Sequence, residues 1–253
     1  MPLVCVCSPK GGTGKTTLTA NLASSFARMG IKALAVDFDV QNALRLHFGV
    51  PLSDGSGYVI QSAQSTDWSQ AIYSPGGNIS LLPYGEVSEQ QRLAFEHSLI
   101  HERQFCQRGL NTLLTYPELI IIADLPPGPG AALQAVGALA DLHLITLLAD
   151  TASASLLPRI ENQRLNGRLG HYLVLNQSDS RRAVSRDVTA FIEQRLDERL
   201  IGVIHRDESV IEANASQKFI FDFSPMSAAA FDIDSIAKKV AVSLNVQVGN
   251  SAY

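Results

Sequence analysis

The most informative segment of the chain is Lys10-Gly11-Gly12-Thr13-Gly14-Lys15-Thr16-Thr17. An apolar run at residues 3–8 precedes it, and a helix-like stretch at residues 15–29 follows it. Glycines let the backbone curl so that successive N–H groups point inward, and the free N–H groups of the following helix also favour anions. A lysine and a hydroxyl at the end of the loop suit phosphate oxygens and Mg²⁺. The segment therefore predicts a nucleotide-phosphate loop between a strand and a helix.

Short apolar runs alternate with longer helix-like stretches along the rest of the chain. Apolar runs of this kind are typical of parallel strands that are covered on both faces. We expect strands at residues 3–8, 33–37, 79–83, 119–124, 142–148, 172–176 and 200–205. We expect helices at residues 15–29, 88–115, 130–139, 151–165, 184–198 and 226–244, and an irregular insertion at 53–77. This order predicts an α/β fold, with a doubly wound, mostly parallel sheet flanked by helices in a single domain over residues 1–253.

The composition excludes several classes of protein. The chain has 253 residues, of which 46% are hydrophobic, and its 20 basic and 24 acidic side chains give a net charge of −4. High apolar content and low net charge exclude disorder, and the acidic balance argues against a dedicated nucleic-acid module. No apolar run approaches the roughly 18 residues of a transmembrane helix, and the first residues lack the features of a signal peptide. We therefore expect a cytosolic protein.

Acidic residues stand where two of the predicted strands end. Asp37 ends the apolar run at residues 33–37, and Asp39 follows two residues later. Asp124 ends the run at 119–124, ahead of the turn formed by residues 126–128. Ligands in open α/β sheets bind beyond the carboxyl ends of the strands. A carboxylate there can hold the water shell of Mg²⁺. These acids are therefore expected beside the phosphate loop.

The phosphate loop departs from the standard GxxxxGK[ST] pattern, because Pro9 replaces the first glycine and Lys10 is added. The resulting KGGxGKTT pattern resembles the deviant phosphate loop of the ATPase group that contains ParA partition proteins, MinD and the nitrogenase iron protein. The resemblance implies a Mg²⁺-dependent ATPase that turns over ATP slowly and forms a homodimer around two ATP molecules. In that group the lysine that matches Lys10 reaches the nucleotide of the other subunit, where it offsets the negative charge of the buried interface.

The same resemblance implies roles for individual residues. Asp39 would orient the attacking water near Mg²⁺, and Asp37 would support the phosphate loop and Lys15. The expected catalytic residues are Lys10, Lys15 and Asp39, and the expected metal site uses Thr16, Asp39 and Asp124. The residues expected to contact ATP are Lys10, Gly11, Gly12, Thr13, Gly14, Lys15, Thr16, Thr17, Asn176, Arg206 and Asp207. One departure is Val40, which stands where the group has proline.

Further segments resemble the BcsQ family of cellulose biosynthesis ATPases. They are DVQNALRLHFG at residues 39–49, LLPYG at 81–85 followed by SEQQ at 88–91, IHRDE at 204–208, and Trp68. The resemblance implies an accessory ATPase of bacterial cellulose synthesis and secretion. Its partners would be BcsR, BcsE and the synthase complex, with recruitment to the inner membrane or a cell pole and only indirect contact with the membrane.

Three alternative functions remain open. A ParA-type partition ATPase would position DNA or other cargo. Its candidate cationic patch is Arg181, Arg182 and Arg186, with Lys238 and Lys239 elsewhere in the chain. A MinD-like regulator would cycle on the membrane, but the predicted helix at 226–244 carries few cations, so we expect it to dock on the core. A structural subunit would hold ATP without turnover. An iron–sulfur protein of this group is excluded, because no cysteine follows Cys106.

Overall fold

A computed structural model describes residues 1–162 and 168–246. In these two ranges the chain forms one eight-stranded sheet with the order β3-β4-β2-β5-β1-β6-β7-β8. Neighbouring strands run parallel except for the edge pair β3 and β4, which is antiparallel. The strands are β1 (Leu3–Cys7), β2 (Lys32–Asp37), β3 (Tyr73–Gly76), β4 (Ile79–Leu82), β5 (Leu119–Asp124), β6 (Leu142–Leu148), β7 (His171–Ser178) and β8 (Leu200–His205).

Helices cover both faces of the sheet. They are α1 (Lys15–Arg28), α2 (Leu44–His47), α3 (Tyr58–Ser62), α4 (Glu89–His101), α5 (Phe105–Leu114), α6 (Ala131–Gly137), α7 (Thr151–Ala154), α8 (Leu157–Asn162), α9 (Ala183–Leu196), α10 (Glu208–Ala215), α11 (Ile220–Phe223) and α12 (Ala228–Ser243). Short 3₁₀ turns lie at Trp68–Ala71 and Asp197–Arg199. The doubly wound, mostly parallel α/β fold predicted from the sequence is confirmed.

The core consists of two apolar layers, one on each face of the sheet. Successive residues of β5 illustrate the alternation, since Ile121 and Ala123 join one layer and Ile120 and Ile122 join the other. All six residues of β5 are buried, as expected for a strand covered on both faces. Helices α4 to α6, α8 and α9 contribute to the first layer, and α1 and α12 contribute to the second.

Helix α12 lies within the range 226–244 and packs on the core. Its buried residues recur at helical spacing and face α1 and β8; they are Ala229, Ala230, Ile233, Ile236, Ala237, Val240 and Ala241. The contact with β8 is close, because a Cβ on Gly202 would lie 2.4 Å from the Cγ1 atom of Ile236. Within the described part of the chain, no helix combines the length and the apolar character needed to cross a membrane.

The prediction of a single helix at residues 88–115 was wrong, because the structure divides this range into α4 and α5. Glu102 is extended, with φ −104° and ψ 92°, and ends α4. The change of direction brings α5 against the indole of Trp68, where a Cβ on Gly109 would lie 2.1 Å from the ring. A close contact between distant segments therefore overrides a helical pattern that continues in the sequence.

The predicted insertion and one further predicted helix also differ in detail. The region 53–77 is not irregular throughout, since it contains α3, a 3₁₀ turn at Trp68–Ala71 and the edge strand β3. The predicted helix at 151–165 is divided into α7 and α8, and residues 163–165 lie outside the described residues. Helices α2, α10 and α11 were not predicted, because each is short and depends on packing against the larger elements.

Candidate functional site

The candidate site lies at the carboxyl ends of the central strands. Parallel pairing aligns Asp124 of β5 with Asp37 of β2 on one side and with Val6 of β1 on the other. The loop 8–14 leaves β1 at the same edge and leads into α1. The fold therefore brings the predicted phosphate loop and the predicted acids to one place, the edge where open α/β sheets bind ligands.

The loop has the backbone geometry of an anion cradle. Gly12 has φ 72° and Gly14 has φ 86°, both in the left-handed region that favours glycine. Helix α1 begins at Lys15, and no side chain caps its first turn. Its free N–H groups and the positive end of its dipole are thus available to an anion. A Cβ on Gly11 or Gly12 would meet no atom within 4 Å, so the loop leaves open space at these positions.

Neighbouring strands hold the loop in place through side chains. The hydroxyls of Thr13 and Thr146 hydrogen-bond at 2.8 Å, and the Asn176 side-chain amide donates to the Thr13 carbonyl at 2.8 Å. The same amide lies so close to Gly14 that a Cβ there would be 2.3 Å from Nδ2. Asn176 thus fixes the shape of the loop, a role that the sequence did not indicate.

Lys15, Thr16 and Asp124 form a tight group at the start of α1. The Thr16 hydroxyl donates to Asp124 Oδ2 at 2.6 Å, and the Lys15 side chain is buried. Burial raises the pKa of Asp124 to about 7, although the hydrogen bond from Thr16 and the positive charge of Lys15 lower it. Asp124 Oδ1 is buried and accepts no hydrogen bond from the described residues. This carboxylate therefore has one oxygen committed to Thr16 and one left unpaired.

Asp37 organises the loop that carries Asp39. Its Oδ1 atom accepts the N–H of Asp39 at 2.9 Å, and its Oδ2 atom accepts the N–H of Leu44 at 3.1 Å. Burial and the nearby Asp124 carboxylate raise the pKa of Asp37 well above its ordinary value. The resemblance predicts that Asp37 supports the phosphate loop and Lys15, whereas in the structure both of its oxygens accept hydrogen bonds from the backbone that follows β2. Asp39 is partly exposed, and its Oδ1 atom accepts the N–H of Gln41 at 3.0 Å.

Lys10 is paired within its own chain. Its ammonium lies 2.8 Å from Asp150 Oδ2 and 3.0 Å from Oδ1. Asp150 also caps α7 by accepting the Ser153 N–H at 2.7 Å. Burial opposes ionisation of Asp150, but the hydrogen bonds from Lys10 and Ser153 prevail and lower its pKa. Asp150 was not predicted as a site residue, although it follows the end of β6 much as Asp124 closes β5.

A pocket of about 190 Å³ adjoins the phosphate loop. Among the residues that line it are Gly14, Thr17, Asn176, Arg206 and Asp207, so the structure brings these predicted contact residues together. The lining also includes Asn214, which was not predicted and whose Nδ2 atom donates to the Thr17 hydroxyl at 3.3 Å. It could not be found from the sequence, because α10, which carries it, was not predicted.

The two charged residues of this pocket already have protein partners. The Arg206 guanidinium lies 3.2 Å from Glu208 Oε1. The carboxylate of Asp207 accepts the N–H groups of Ser209 at 3.0 Å and Ala229 at 3.2 Å. Although burial raises the pKa of Asp207, these hydrogen bonds outweigh burial and lower it. Asp207 therefore joins the starts of α10 and α12 as well as lining the pocket.

The candidate cationic patch of the partition alternative is partly neutralised. The Arg181 guanidinium pairs with Asp179, with Nε 2.9 Å from Oδ1 and NH2 3.2 Å from Oδ2. Arg186 donates to the Ser180 carbonyl at 2.8 Å. Arg182 is exposed at the start of α9. Ion pairing within the chain lowers the positive field that a nucleic acid would meet.

The donor set at this edge fits a nucleoside triphosphate with Mg²⁺. The open glycine loop and the uncapped start of α1 match phosphate oxygens, and the buried Lys15 supplies a compensating charge. Thr16 and Asp124 provide hard oxygen ligands of the kind that Mg²⁺ prefers, and the unpaired Oδ1 of Asp124 can hold one of its water ligands. The pocket beside the loop has room for part of the nucleoside.

The chain resembles one family of proteins over most of its length. A family model described as cellulose biosynthesis protein BcsQ matches residues 1–240. The cellulose biosynthesis protein BcsQ of Escherichia coli is 27% identical over 229 residues, which cover 90% of this chain and 89% of that protein.

Solved structures with the same fold include two nucleotide complexes. A Cyanothece McdA–ATP complex has a TM-score of 0.75 at 19% identity, covering 98% of this chain and 97% of that chain. The septum site-determining protein MinD of Pyrococcus horikoshii, complexed with Mg-ADP, has a TM-score of 0.71 at 22% identity, covering 94% and 95%. At these identities the likeness shows the fold alone.

Proposed function

The chain belongs to the BcsQ family of cellulose biosynthesis proteins, and we propose that it is a slow, Mg²⁺-dependent ATPase that acts as a switch in bacterial cellulose synthesis and secretion. The observation that carries this proposal is the open glycine loop ahead of α1, with Thr16 hydrogen-bonded to Asp124 at 2.6 Å. The Mg-ADP complex of MinD and the ATP complex of McdA, which share the fold, support a nucleotide as the ligand.

Each part of the site has a proposed task. The loop backbone from Lys10 to Thr17 and the Lys15 ammonium hold the phosphates, and Thr16, Asp39 and Asp124 hold the metal with its water. Mg²⁺, when bound, neutralises charge on the phosphate oxygens. Asp39, which is partly exposed on its loop, orients the attacking water. Asn176, Arg206 and Asp207 contact the nucleoside from the wall of the pocket.

We propose an ATP-bound homodimer as the active state, with Lys10 reaching the nucleotide of the second subunit. A bound state can select a partner only if it differs in shape from the free state, and dimerisation supplies such a difference. The proposed partners are BcsR, BcsE and the synthase complex. The protein would work in the cytoplasm as a single domain, with recruitment to the inner membrane or a cell pole through those partners.

The alternative functions have less support in the structure. Arg181 and Arg186 of the candidate DNA-binding patch are engaged within the chain, and α12 buries its apolar face. ATP-dependent DNA binding that weakens steeply with salt would favour the partition ATPase. ATP-dependent binding to liposomes would favour a MinD-like regulator, and tight ATP binding without phosphate release in the presence of partners would favour a structural subunit.

The first test of the proposal is the Lys15→Ala variant in cells that make cellulose. Removal of the buried ammonium should abolish ATP binding, because the phosphates lose their nearest compensating charge. We expect cellulose output, measured by dye binding, to fall to the level of a deletion strain at normal protein abundance. Lys218→Ala, which changes an exposed lysine, is the matched control and should leave output unchanged. Normal cellulose in the Lys15→Ala strain would contradict an ATP-dependent role.

The second test concerns Asp39. The Asp39→Ala variant should still bind ATP but should not activate water, so the ATP-bound dimer should accumulate. Light scattering should report a stable dimer for Asp39→Ala with ATP and a monomer for Lys10→Ala, which lacks the group that reaches across. If Asp39→Ala stays monomeric at saturating ATP, both the water-orienting role and the proposed dimer would need to be replaced.

A further inference from the structure

Two histidines lie side by side on the exposed face of α4, away from the nucleotide site. From this pair we infer a second site in the protein, at which His97 and His101 chelate a divalent transition-metal ion such as Zn²⁺, Ni²⁺ or Cu²⁺. The site does not depend on the proposed ATPase activity.

The helix presents the two rings at chelating distance. His97 and His101 are four residues apart and therefore lie on the same face, one turn from each other. Their ring centroids are 4.3 Å apart, the ring planes are inclined by 43°, and both residues are exposed. A tetrahedral ion bound 2.0–2.1 Å from each nitrogen needs the two nitrogens about 3.4 Å apart, which small ring rotations can reach.

Helix α4 is a firm platform for such a site. At its start, Ser88 and Gln91 form a capping box in which each side chain pairs with the other residue's N–H. Phe95 and Leu99 on the opposite face are buried in the core. The capping box holds the start of the helix, and the two buried side chains hold the turns that carry the histidines. The backbone therefore loses little further freedom when the rings bind an ion, which favours chelation over separate binding to each ring.

The position of the pair also favours a cation. His101 lies in the last turn of α4, where the unpaired carbonyls carry the negative end of the helix dipole. A bound cation would complement this partial charge, as a protonated histidine or a lysine does at other helix ends. The nearest carboxylates of the helix end are engaged, since Glu96 pairs with Arg92 and Glu102 pairs with Arg108, each at 2.8 Å.

The donor set defines the class of ion. Imidazole nitrogens select Zn²⁺, Cu²⁺ or Ni²⁺, whereas Mg²⁺ requires oxygen ligands. The described part of the chain brings no third histidine, cysteine or acidic side chain to the pair, so water would complete the coordination. The site would thus be open to exchange, unlike a closed structural zinc site.

Metal binding at this place would affect the surface beside the nucleotide site. Leu99 and Ile100, which stand between the two histidines in sequence but on other sides of the helix, line a groove of about 280 Å³ together with Val40, Pro126 and Pro127. Val40 follows Asp39, and the two prolines follow Asp124. The ion would therefore bind a turn of α4 that also forms one wall of a groove whose other wall is formed by the loops of the nucleotide site.

The test is a Zn²⁺ titration of the full, nucleotide-free chain by calorimetry at about pH 7.5. We expect one ion per chain, and at least a tenfold weaker affinity in either His97→Gln or His101→Gln, because each leaves a single ligand. His205→Gln removes another exposed histidine and should leave the affinity unchanged. Equal affinities in the wild type and the His97→Gln/His101→Gln double variant would overturn the site, as would binding only at millimolar Zn²⁺.

Thermal unfolding gives a second, independent measurement. Binding to the folded chain stabilises it by mass action, so Zn²⁺ should raise the unfolding midpoint of the wild type and not that of the double variant. Without metal the two midpoints should agree, because both side chains are exposed. A Zn²⁺-induced increase that persists in the double variant would place the ion elsewhere.

Discussion

Gly14 shows how much of the site depends on one missing side chain. It has φ 86°, it immediately precedes α1, and a Cβ would approach Asn176 Nδ2 to 2.3 Å. Gly11 belongs to the same loop, but a Cβ there would meet nothing within 4 Å. The two glycines therefore differ in their constraint, although the sequence pattern treats them alike.

Alanine substitutions should separate these two positions. Gly14→Ala should lower the free energy of unfolding by about 2 kcal/mol or more, since the left-handed backbone alone costs roughly 1–2 kcal/mol and the clash with Asn176 adds to it. Gly11→Ala should change it by less than about 0.5 kcal/mol. Urea unfolding without nucleotide measures both values. Equal effects of the two substitutions would contradict the loop geometry.

At the level of residues, the sequence predicted the site residues that belong to one short motif. Lys10, Lys15 and Thr16 stand in a recognisable pattern, and their place between a strand and a helix follows from that pattern. The partnership of Lys10 with Asp150 joins segments 140 residues apart, and it becomes visible only when β1 and β6 pair. The two hydrogen bonds of Asp37 likewise depend on the path of the chain after β2, which apolar periodicity does not describe.

Helix α2 illustrates an element that exists because of its surroundings. It has only four residues, too few to be stable alone, and it follows the loop that Asp37 organises. His47 of this helix is 8% exposed, and its Nδ1 atom has no hydrogen-bond partner among the described residues. Burial lowers the pKa of His47 from 6.5 to about 4. The fold thus holds this imidazole in its neutral form.

The stability of the protein should depend on pH through His47. Burial opposes protonation of His47 in the folded chain, whereas the unfolded chain binds the proton readily. The stability that the neutral imidazole contributes is therefore fully present above about pH 6.5 and is lost as the pH falls toward 4. The loss should be on the order of 3 kcal/mol at the acid end of that range. It is measured as the difference between the wild type and His47→Gln in unfolding free energy across this range. The exposed His101→Gln is the control, and a constant difference for His47→Gln would contradict the effect.

Among the elements, the sequence predicted the long, strongly patterned ones. The strands with continuous apolar runs were all found, whereas the four-residue edge strand β3 was missed because three of its residues are exposed and one is proline. Helices α4 and α5 were predicted as one, since their break is set by the contact of Gly109 with Trp68 rather than by a local breaker. Tertiary packing thus accounts for the error in the helices, whereas β3 was missed because its own sequence carries no apolar pattern.

The whole molecule is a sheet between two apolar layers that share every central strand. Trp68 is buried in one layer within an aromatic cluster that includes Tyr58 and Phe95. Val240 of α12 is buried in the other layer. Both apolar layers pack on the same strands, so disruption of one layer should disturb the strands that support the other. We therefore expect the chain to unfold as one cooperative domain.

Two positions in α12 test this coupling. Val240→Ala removes a fully buried side chain and should lower the free energy of unfolding by about 2 kcal/mol, whereas Val242→Ala, at a position 76% exposed, should have almost no effect. The midpoint reported by Trp68 fluorescence should shift with Val240→Ala as much as the midpoint reported by circular dichroism. A fluorescence midpoint that does not move would indicate two independently unfolding units.

The contact between Lys10 and Asp150 sets a condition on the assembly of two chains. The Lys10 ammonium donates to both oxygens of Asp150, so reaching a phosphate of a second subunit would draw it away from this carboxylate, and the two interactions compete. In the proposed dimer, this competition defines a threshold concentration of ATP-bound chains below which each remains single. Because the Lys10 and Asp150 side chains are 27% and 41% exposed, salt screens their attraction. The threshold should therefore vary with ionic strength, which would make assembly sensitive to the state of the surrounding solution as well as to the supply of ATP.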